Sequence, residues 1–173
     1  MSTTCPPAAA RASVGRVPAS LTVTAGVTIT ADSWRVWDLA VDWANQREWI
    51  WATTTSGGQG LGASVTGRTA IGPIGFTDTM LITEWDPPRR CTVTHTGRIV
   101  RGEGVFEVRQ SGSRTEFRWS ERILLPDPLL ALVPAVARPA FTRLALAVIA
   151  PLARIGLGYS VVRFARLLGA PRA

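Results

Sequence analysis

Between Trp51 and Leu125 the chain falls into six consecutive short runs rich in Thr, Val, Gly and aromatic residues, separated by the turn signals SGGQGLG, IGPIG, DPPRR, TGRIVRGEG and QSGSR. The runs at 51–56, 63–71, 75–86, 90–99, 102–110 and 114–125 predict strands. Loops this short cannot carry the crossover that a parallel pair needs, so the six strands are expected to form an antiparallel meander. Upstream, Leu21 to Thr30 (LTVTAGVTIT) alternates apolar residues with Thr and predicts a further strand with one buried face.

Helical period appears on either side of the meander. Ala31-Asp32-Ser33 offers an N-cap to a helix over 34–43, and Asn45 offers a cap to a second short helix near 45–49. From Pro128 the chain turns to Leu and Ala at helical density, and Pro134, Pro139 and Pro151 are each expected to break or kink it. The last stretch is the cleanest: Leu157, Val161, Phe164 and Leu168 form one stripe, with Tyr159, Arg163 and Arg166 on the opposite side. The longest uncharged runs in this region, 128–137 and 144–153, are about half the roughly 20 residues that span a bilayer, which predicts no transmembrane helix.

At 173 residues, 46% of them apolar and 18% charged, the chain reads as one globular domain over 21–173 preceded by a disordered tail at 1–20. That tail has no continuous apolar region of the secretory type. The two cysteines, Cys5 and Cys91, lie far apart, which predicts no disulfide framework and a reducing, cytoplasmic setting. The net charge of +7 sets nineteen Arg, most of them scattered singly, against twelve acidic residues, without the clustered stripe that phosphate tracking needs, so nucleic-acid binding is not expected. From Ile123 onward six Arg (138, 143, 154, 163, 166 and 172) face Asp127 alone, a bias suited to peripheral contact with an anionic membrane. The sequence assigns no oligomeric state.

The order of elements, with Trp-Asp-Pro-Pro-Arg-Arg at 85–90 ending one strand and TEFRWSERILLP at 115–126 leading into the terminal helix, resembles the START-like SRPBCC superfamily. Within it the chain is most similar to the polyketide cyclase/dehydrase and lipid transport family, whose helix-to-helix corner Asp42 and Trp43 to Trp49 also resemble. The resemblance runs from about Leu21 to Leu168. It implies an α+β helix-grip fold, a curved antiparallel sheet of about seven strands around a long C-terminal helix, with an internal cavity for a sterol, lipid, polyketide or hormone-like ligand. It implies no single activity, because the family includes carriers, sensors and cyclases. The segment 127–153 is longer and more apolar than such a fold requires.

The residues themselves exclude several chemistries. One His and two distant Cys predict no metal site, and the absence of Lys removes a P-loop lysine and a Schiff base. Gly58 to Ala63 matches Gly-x-Gly-x-x-Ala, but a strand follows it where a dinucleotide fingerprint needs a helix. No cofactor is expected.

Polar residues on apolar strand faces are the remaining candidates. Glu121 shares parity with Phe117, Trp119, Ile123 and Leu125, where burial beside Trp119 would suit a carboxyl group to acid–base work; the bland reading is a rim Glu paired with an Arg. His95 shares parity with Cys91 and Val93 and is the only side chain whose unshifted pKa lies near neutrality. Asp78 shares parity with Met80 and Ile82, although Leu81 and Trp85 argue for the other face. Glu103, Glu107 and Arg109 read as a solvated charge ladder. Five Trp (34, 37, 43, 49 and 51) cluster at the early helices, as core or as an aromatic ligand mouth. Trp37, Trp49, Met80, Ile82, Val93, Phe117, Trp119 and Phe164 are expected to line the cavity.

Three functions fit these residues. The first is a carrier of a hydrophobic small molecule. The others are a cofactor-independent cyclase or dehydratase using Glu121 and His95, and a peripheral lipid-transfer module. The first two separate on whether Glu121 and His95 both point into one cavity.

Overall fold

The computed structural model describes residues 20–97, 99–124 and 133–169. Of the expected tail over 1–20 only Ser20 is described, as the first residue of a strand; residues 1–19, Leu125, the start of the apolar segment through residue 132, and Arg172 lie outside the described residues.

Seven strands form one antiparallel sheet: β1 (Ser20–Ile29), β2 (Thr53–Gly57), β3 (Ser64–Ile71), β4 (Ile74–Asp86), β5 (Arg90–His95), β6 (Arg101–Ser111) and β7 (Arg114–Leu124). The spatial order is β1-β7-β6-β5-β4-β3-β2, a meander to which the first strand is added along the last. Helix α1 (Ser33–Val41) and a 3-10 helix (Trp43–Glu48) join β1 to β2, and helix α2 (Arg138–Gly169) follows the sheet. This is the helix-grip architecture.

Local chemistry sets the corners. Asp32 caps α1 by accepting a hydrogen bond from the Arg35 N–H at 3.0 Å. Val36, Trp37, Ala40 and Val41 form the buried face of α1. The short helix begins at Trp43, not at Asn45, because Asp42 breaks the helical backbone there; Asn45 Nδ2 donates back to Asp42 Oδ2 at 2.8 Å. In the Trp85–Arg90 turn, Arg89 donates two hydrogen bonds of 2.9 Å to Asp86.

Strand β4 contains a bulge between Ile82 and Glu84. It resolves the conflict in the parity of that strand, since a bulge swaps the alternation. Asp78 and Ile82 face inward before it, and Trp85 returns to the inner side after it, edge-on to Trp37 at 5.0 Å. On the outer face Arg90 bridges Glu84 and Glu107 at 2.8 Å each and Arg109 meets Glu107 at 3.4 Å, whereas Glu103 of the expected ladder forms no ion pair among the described residues.

Helix α2 is continuous over 32 residues, about 48 Å at 1.5 Å per residue. Pro139 lies in its first turn, where a missing N–H costs nothing, so it causes no break. Pro151 lies inside the helix and is accommodated without ending it. Leu157, Val161, Phe164 and Leu168 are buried against the sheet, and Tyr159 is exposed on the opposite side with Arg163 over its ring. Phe164 stacks on Phe117 at 4.2 Å and meets Trp49 edge-on at 4.9 Å. By length and composition α2 is apolar enough to cross a membrane, with mean hydropathy 1.7. The uncharged runs underestimated this, because isolated Arg residues interrupt an otherwise apolar helix.

Phe164 is completely buried in an aromatic cluster. Phe164→Ala is expected to lower unfolding free energy by about 3–5 kcal/mol, measured by chemical denaturation. An unchanged midpoint would contradict the assignment of this helix to the core.

Candidate functional site

The concave face of the sheet carries a chain of polar contacts across four strands. On the inner face of β6, Gly102 and Gly104 precede Phe106 and Val108. They leave the middle of the sheet without side chains just where β5 and β7 flank it, two strand spacings or about 10 Å apart. His95 at the end of β5 reaches over this gap to Glu121 on β7, with Nε2 3.1 Å from Glu121 Oε2. Its other ring nitrogen, Nδ1, lies 2.5 Å from Asp78 Oδ2 on β4. Trp119 donates its indole N–H to Glu121 Oε1 at 2.7 Å.

The glycines are required by this arrangement. A Cβ on Gly104 would lie 2.7 Å from Glu121 Oε1, and one on Gly97 would lie 2.2 Å from Asp78 Oδ1. Gly102 has φ of +131°, and a Cβ there would collide with the Arg122 carbonyl. The sequence pattern puts Gly97 in a turn and Gly102 and Gly104 at the start of the strand expected over 102–110; in the structure both belong to β6, and the bare Gly104 makes room for the Glu121 carboxylate. Strand β5 ends at His95 instead of residue 99, and Gly97 passes close against Asp78.

The cluster is largely dry: side-chain exposure is 10% for His95, 8% for Asp78 and 15% for Glu121. Burial by itself would lower the His95 pKa, but hydrogen bonds and charge from Asp78 and Glu121 outweigh it and raise the imidazole to about 9. At neutral pH the ring is therefore an imidazolium, donating one N–H to each carboxylate. Asp78 Oδ1 is buried with no hydrogen-bond partner among the described residues, which leaves the imidazolium as that carboxylate's compensation. The rim pairing with Arg considered for Glu121 does not occur among the described residues. Cys91 is no rival nucleophile, because burial pushes its thiol up to about 12.

Asp78, His95 and Glu121 all border a cavity of about 210 Å³ between the sheet and the 3-10 helix. Met80, Val93 and Trp119 border it too. Trp37, Trp49, Ile82, Phe117 and Phe164, expected on its wall, lie elsewhere: Trp37 packs on Trp85, and the others are fully buried in the core. Parity placed Ile82 and Phe117 inward, the early aromatic cluster suggested Trp37 and Trp49, and helical spacing turned Phe164 to the sheet, but Phe164 packs directly on Phe117 and Trp49 and leaves no space beside them. Of the early Trp cluster, Trp43 lines the cavity while Trp34 is exposed.

An adjoining compartment of about 410 Å³ shares Ile50, Thr69, Phe76, Trp119 and Glu121 with the first and is walled by Ile149, Leu152, Ala153 and Gly156 of α2. The wall facing the cluster is partly hydroxylated: Thr53 and Thr69 share a hydrogen bond of 2.9 Å, and Thr55 donates to Gln46 at 2.9 Å. Sequence reasoning missed Gln46 and the three Thr, although the period of two in 53–57 and 64–71 placed these Thr on common faces. Among the described residues, no three His, Cys, Asp or Glu side chains converge on a point where a metal ion would sit.

A profile of the family described as polyketide cyclase/dehydrase and lipid transport matches residues 20–154. The chain belongs to that family. Its solved structural neighbours are distant in sequence and share the fold. Protein TTHA0849 from Thermus thermophilus superposes with TM-score 0.69 at 15% identity, over 88% of this chain and 100% of that one. The Zhui aromatase/cyclase from Streptomyces sp. R1128 gives 0.65 at 15% identity, over 87% and 94%. The di-domain ARO/CYC BexL from the BE-7585A biosynthetic pathway gives 0.61 at 14% identity, over 88% of this chain and 51% of BexL. No curated protein matches the chain in sequence. Membership of the polyketide cyclase/dehydrase and lipid transport family supports a ligand-binding or cyclase role for the cavity.

His95 is the only histidine in the chain, so its ring signals are unambiguous in an NMR titration. The expected midpoint is about 9. A raised pKa means that the contribution to stability is full below about 6.5 and is lost as pH rises through about 9, so the thermal midpoint of the wild type should fall across that window. His95→Asn should remove the dependence; a ring titrating near 6.5 would contradict the cluster.

Proposed function

We propose that this chain binds an apolar, oxygen-bearing molecule of the polyketide type in the cavity and promotes its cyclisation or dehydration without a cofactor. The observation that supports the reading is that His95 and Glu121 meet inside one cavity, against the indole of Trp119. The apolar wall holds the carbon skeleton, and the Thr side of the cavity offers hydroxyls to further oxygens.

A carbonyl oxygen that enters beside His95 replaces Glu121 as acceptor of the Nε2–H. The freed Glu121 carboxylate then takes a proton from the carbon next to that carbonyl. The resulting enolate carbon forms a bond to a second carbonyl carbon of the same molecule, whose oxygen takes a proton from His95. Neutral His95 then takes the remaining proton from the first carbon while protonated Glu121 gives its proton to the new hydroxyl, which departs as water and returns both groups to their starting states. Asp78 acts as a positioning residue that keeps the imidazole charged and oriented. The fold contributes by holding both reacting ends of one chain together.

One observation favours simple carriage as a second reading: Glu121 already has both oxygens engaged, by His95 and Trp119, in a self-satisfied network. Glu121→Gln decides between them. With a synthetic aryl 1,5-diketone as probe, which can close a six-membered ring, the cyclase reading expects turnover to fall at least about tenfold, or 1.4 kcal/mol in barrier, while the thermal midpoint stays close to wild type. No turnover by the wild type, with binding unaltered in the variant, would reject it in favour of carriage.

A further inference from the structure

The first four turns of α2 extend beyond its buried stripe, and the outward side of the helix is apolar. Leu144, Val148, Leu152, Ile155, Tyr159 and Val162 are between 48% and 69% exposed and follow one another at spacings of three or four. The stripe is about 27 Å long at 1.5 Å per residue, a larger continuous apolar face than a soluble monomer ordinarily leaves to water. Helix α2 carries five Arg and no acidic residue. Helical period puts Arg138 and Arg163 along one flank of the stripe and Arg166 in line with it at its C-terminal end, whereas Arg143 and Arg154 lie well away from it, roughly 115–135° from its centre.

The same helix walls the larger compartment of the cavity with Ile149, Leu152, Ala153 and Gly156. Two other elements bring exposed apolar groups to that rim. Trp51 is half-exposed and lines the compartment, and Ile71 at the β3–β4 hairpin lines it while being mostly exposed. Ile74, on the far side of that hairpin turn, is 81% exposed. Helix, hairpin tip and indole thus surround one opening.

We propose that this rim docks on an anionic membrane, with the apolar stripe of α2 and the β3–β4 tip sunk into the headgroup boundary, so that the mouth of the cavity opens onto lipid. An interfacial helix needs this pattern, an apolar face bordered by cations whose long side chains reach back to phosphate. Spanning is excluded by the core: the last three turns of α2 are held by the sheet through Leu157, Val161, Phe164 and Leu168. A second copy of the chain fits less well than an anionic surface, because its own α2 offers no carboxylate to meet Arg138, Arg163 or Arg166. Docking rests on the proposed apolar ligand only for what passes through the mouth.

The full chain, without added ligand, is tested by flotation with vesicles of phosphatidylcholine alone and of phosphatidylcholine containing phosphatidylglycerol. Binding is expected on the phosphatidylglycerol vesicles only and should weaken as salt rises, since surface Arg contacts are screened. Ile155→Glu and Ile74→Ser alter exposed positions that line neither compartment, so the fold and turnover of soluble diketone should persist while vesicle affinity drops at least about tenfold. Equal binding to both vesicle types, or affinity untouched by both substitutions, overturns the proposal. So does a dimer or an acidic protein partner that occupies α2 while vesicles are ignored. Because the vesicles hold no diketone, failure of the catalytic reading leaves this result standing.

Discussion

The stack of Phe164 on Phe117, closed by Trp49, is the contact on which the rest of the structure depends. It clamps the C-terminal half of a 32-residue helix to one end of a curved sheet. That end is filled by aromatic rings and is fully dry. At the other end the helix continues over the sheet without filling the concavity, and the cavity is the space left over. Core and binding site are therefore two ends of one groove. The position of a single aromatic wedge decides where one stops and the other begins.

At that boundary lies the one ionic cluster of the concave face among the described residues. Bringing Asp78, His95 and Glu121 out of water costs several kcal/mol per charge unless geometry compensates, and apolar replacements of equal volume commonly cost nothing or stabilise. The chain accommodates the cluster at further expense, with glycines at 97 and 104 where any side chain would collide with a carboxylate. Measured against an apolar replacement such a cluster adds little stability, even though losing the His95 charge within it is destabilising, and this supports a role in holding or altering a ligand. The imidazolium also gives it polarity: His95 is a weak acid placed between a buried carboxylate that orients it and an exchangeable one at the cavity face.

Much of the architecture was legible in the sequence, because turn signals and alternation are local. The runs bounded by SGGQGLG, DPPRR and QSGSR correspond closely to β3, β4 and β7. Parity turned Glu121 and His95 inward, since neither β5 nor β7 is interrupted before those residues. It was ambiguous for Asp78, because the bulge between Ile82 and Glu84 swaps the alternation and no residue type announces it. Parity also could not sort depth. Trp119 and Phe117 share a face two residues apart, yet one borders the cavity and the other is sealed under Phe164, a difference set by where α2 crosses the sheet. The pairing of His95 with Glu121 across β6 was not legible either, because it requires the strand order and the bare glycine positions together.

The central claim is that the cavity takes an oxygenated apolar molecule with its oxygen at His95 and Glu121. The most direct measurement is a crystal structure of the protein with a fused-ring phenol as an unreactive probe. The expected complex has the rings against Trp119 and Ile50, and a phenolic oxygen within hydrogen-bond distance of His95 Nε2 or Glu121, with the Asp78 contact intact. A probe bound only on the outer surface, or inside the cavity with its oxygen turned away from an unaltered His95–Glu121 pair, would contradict it.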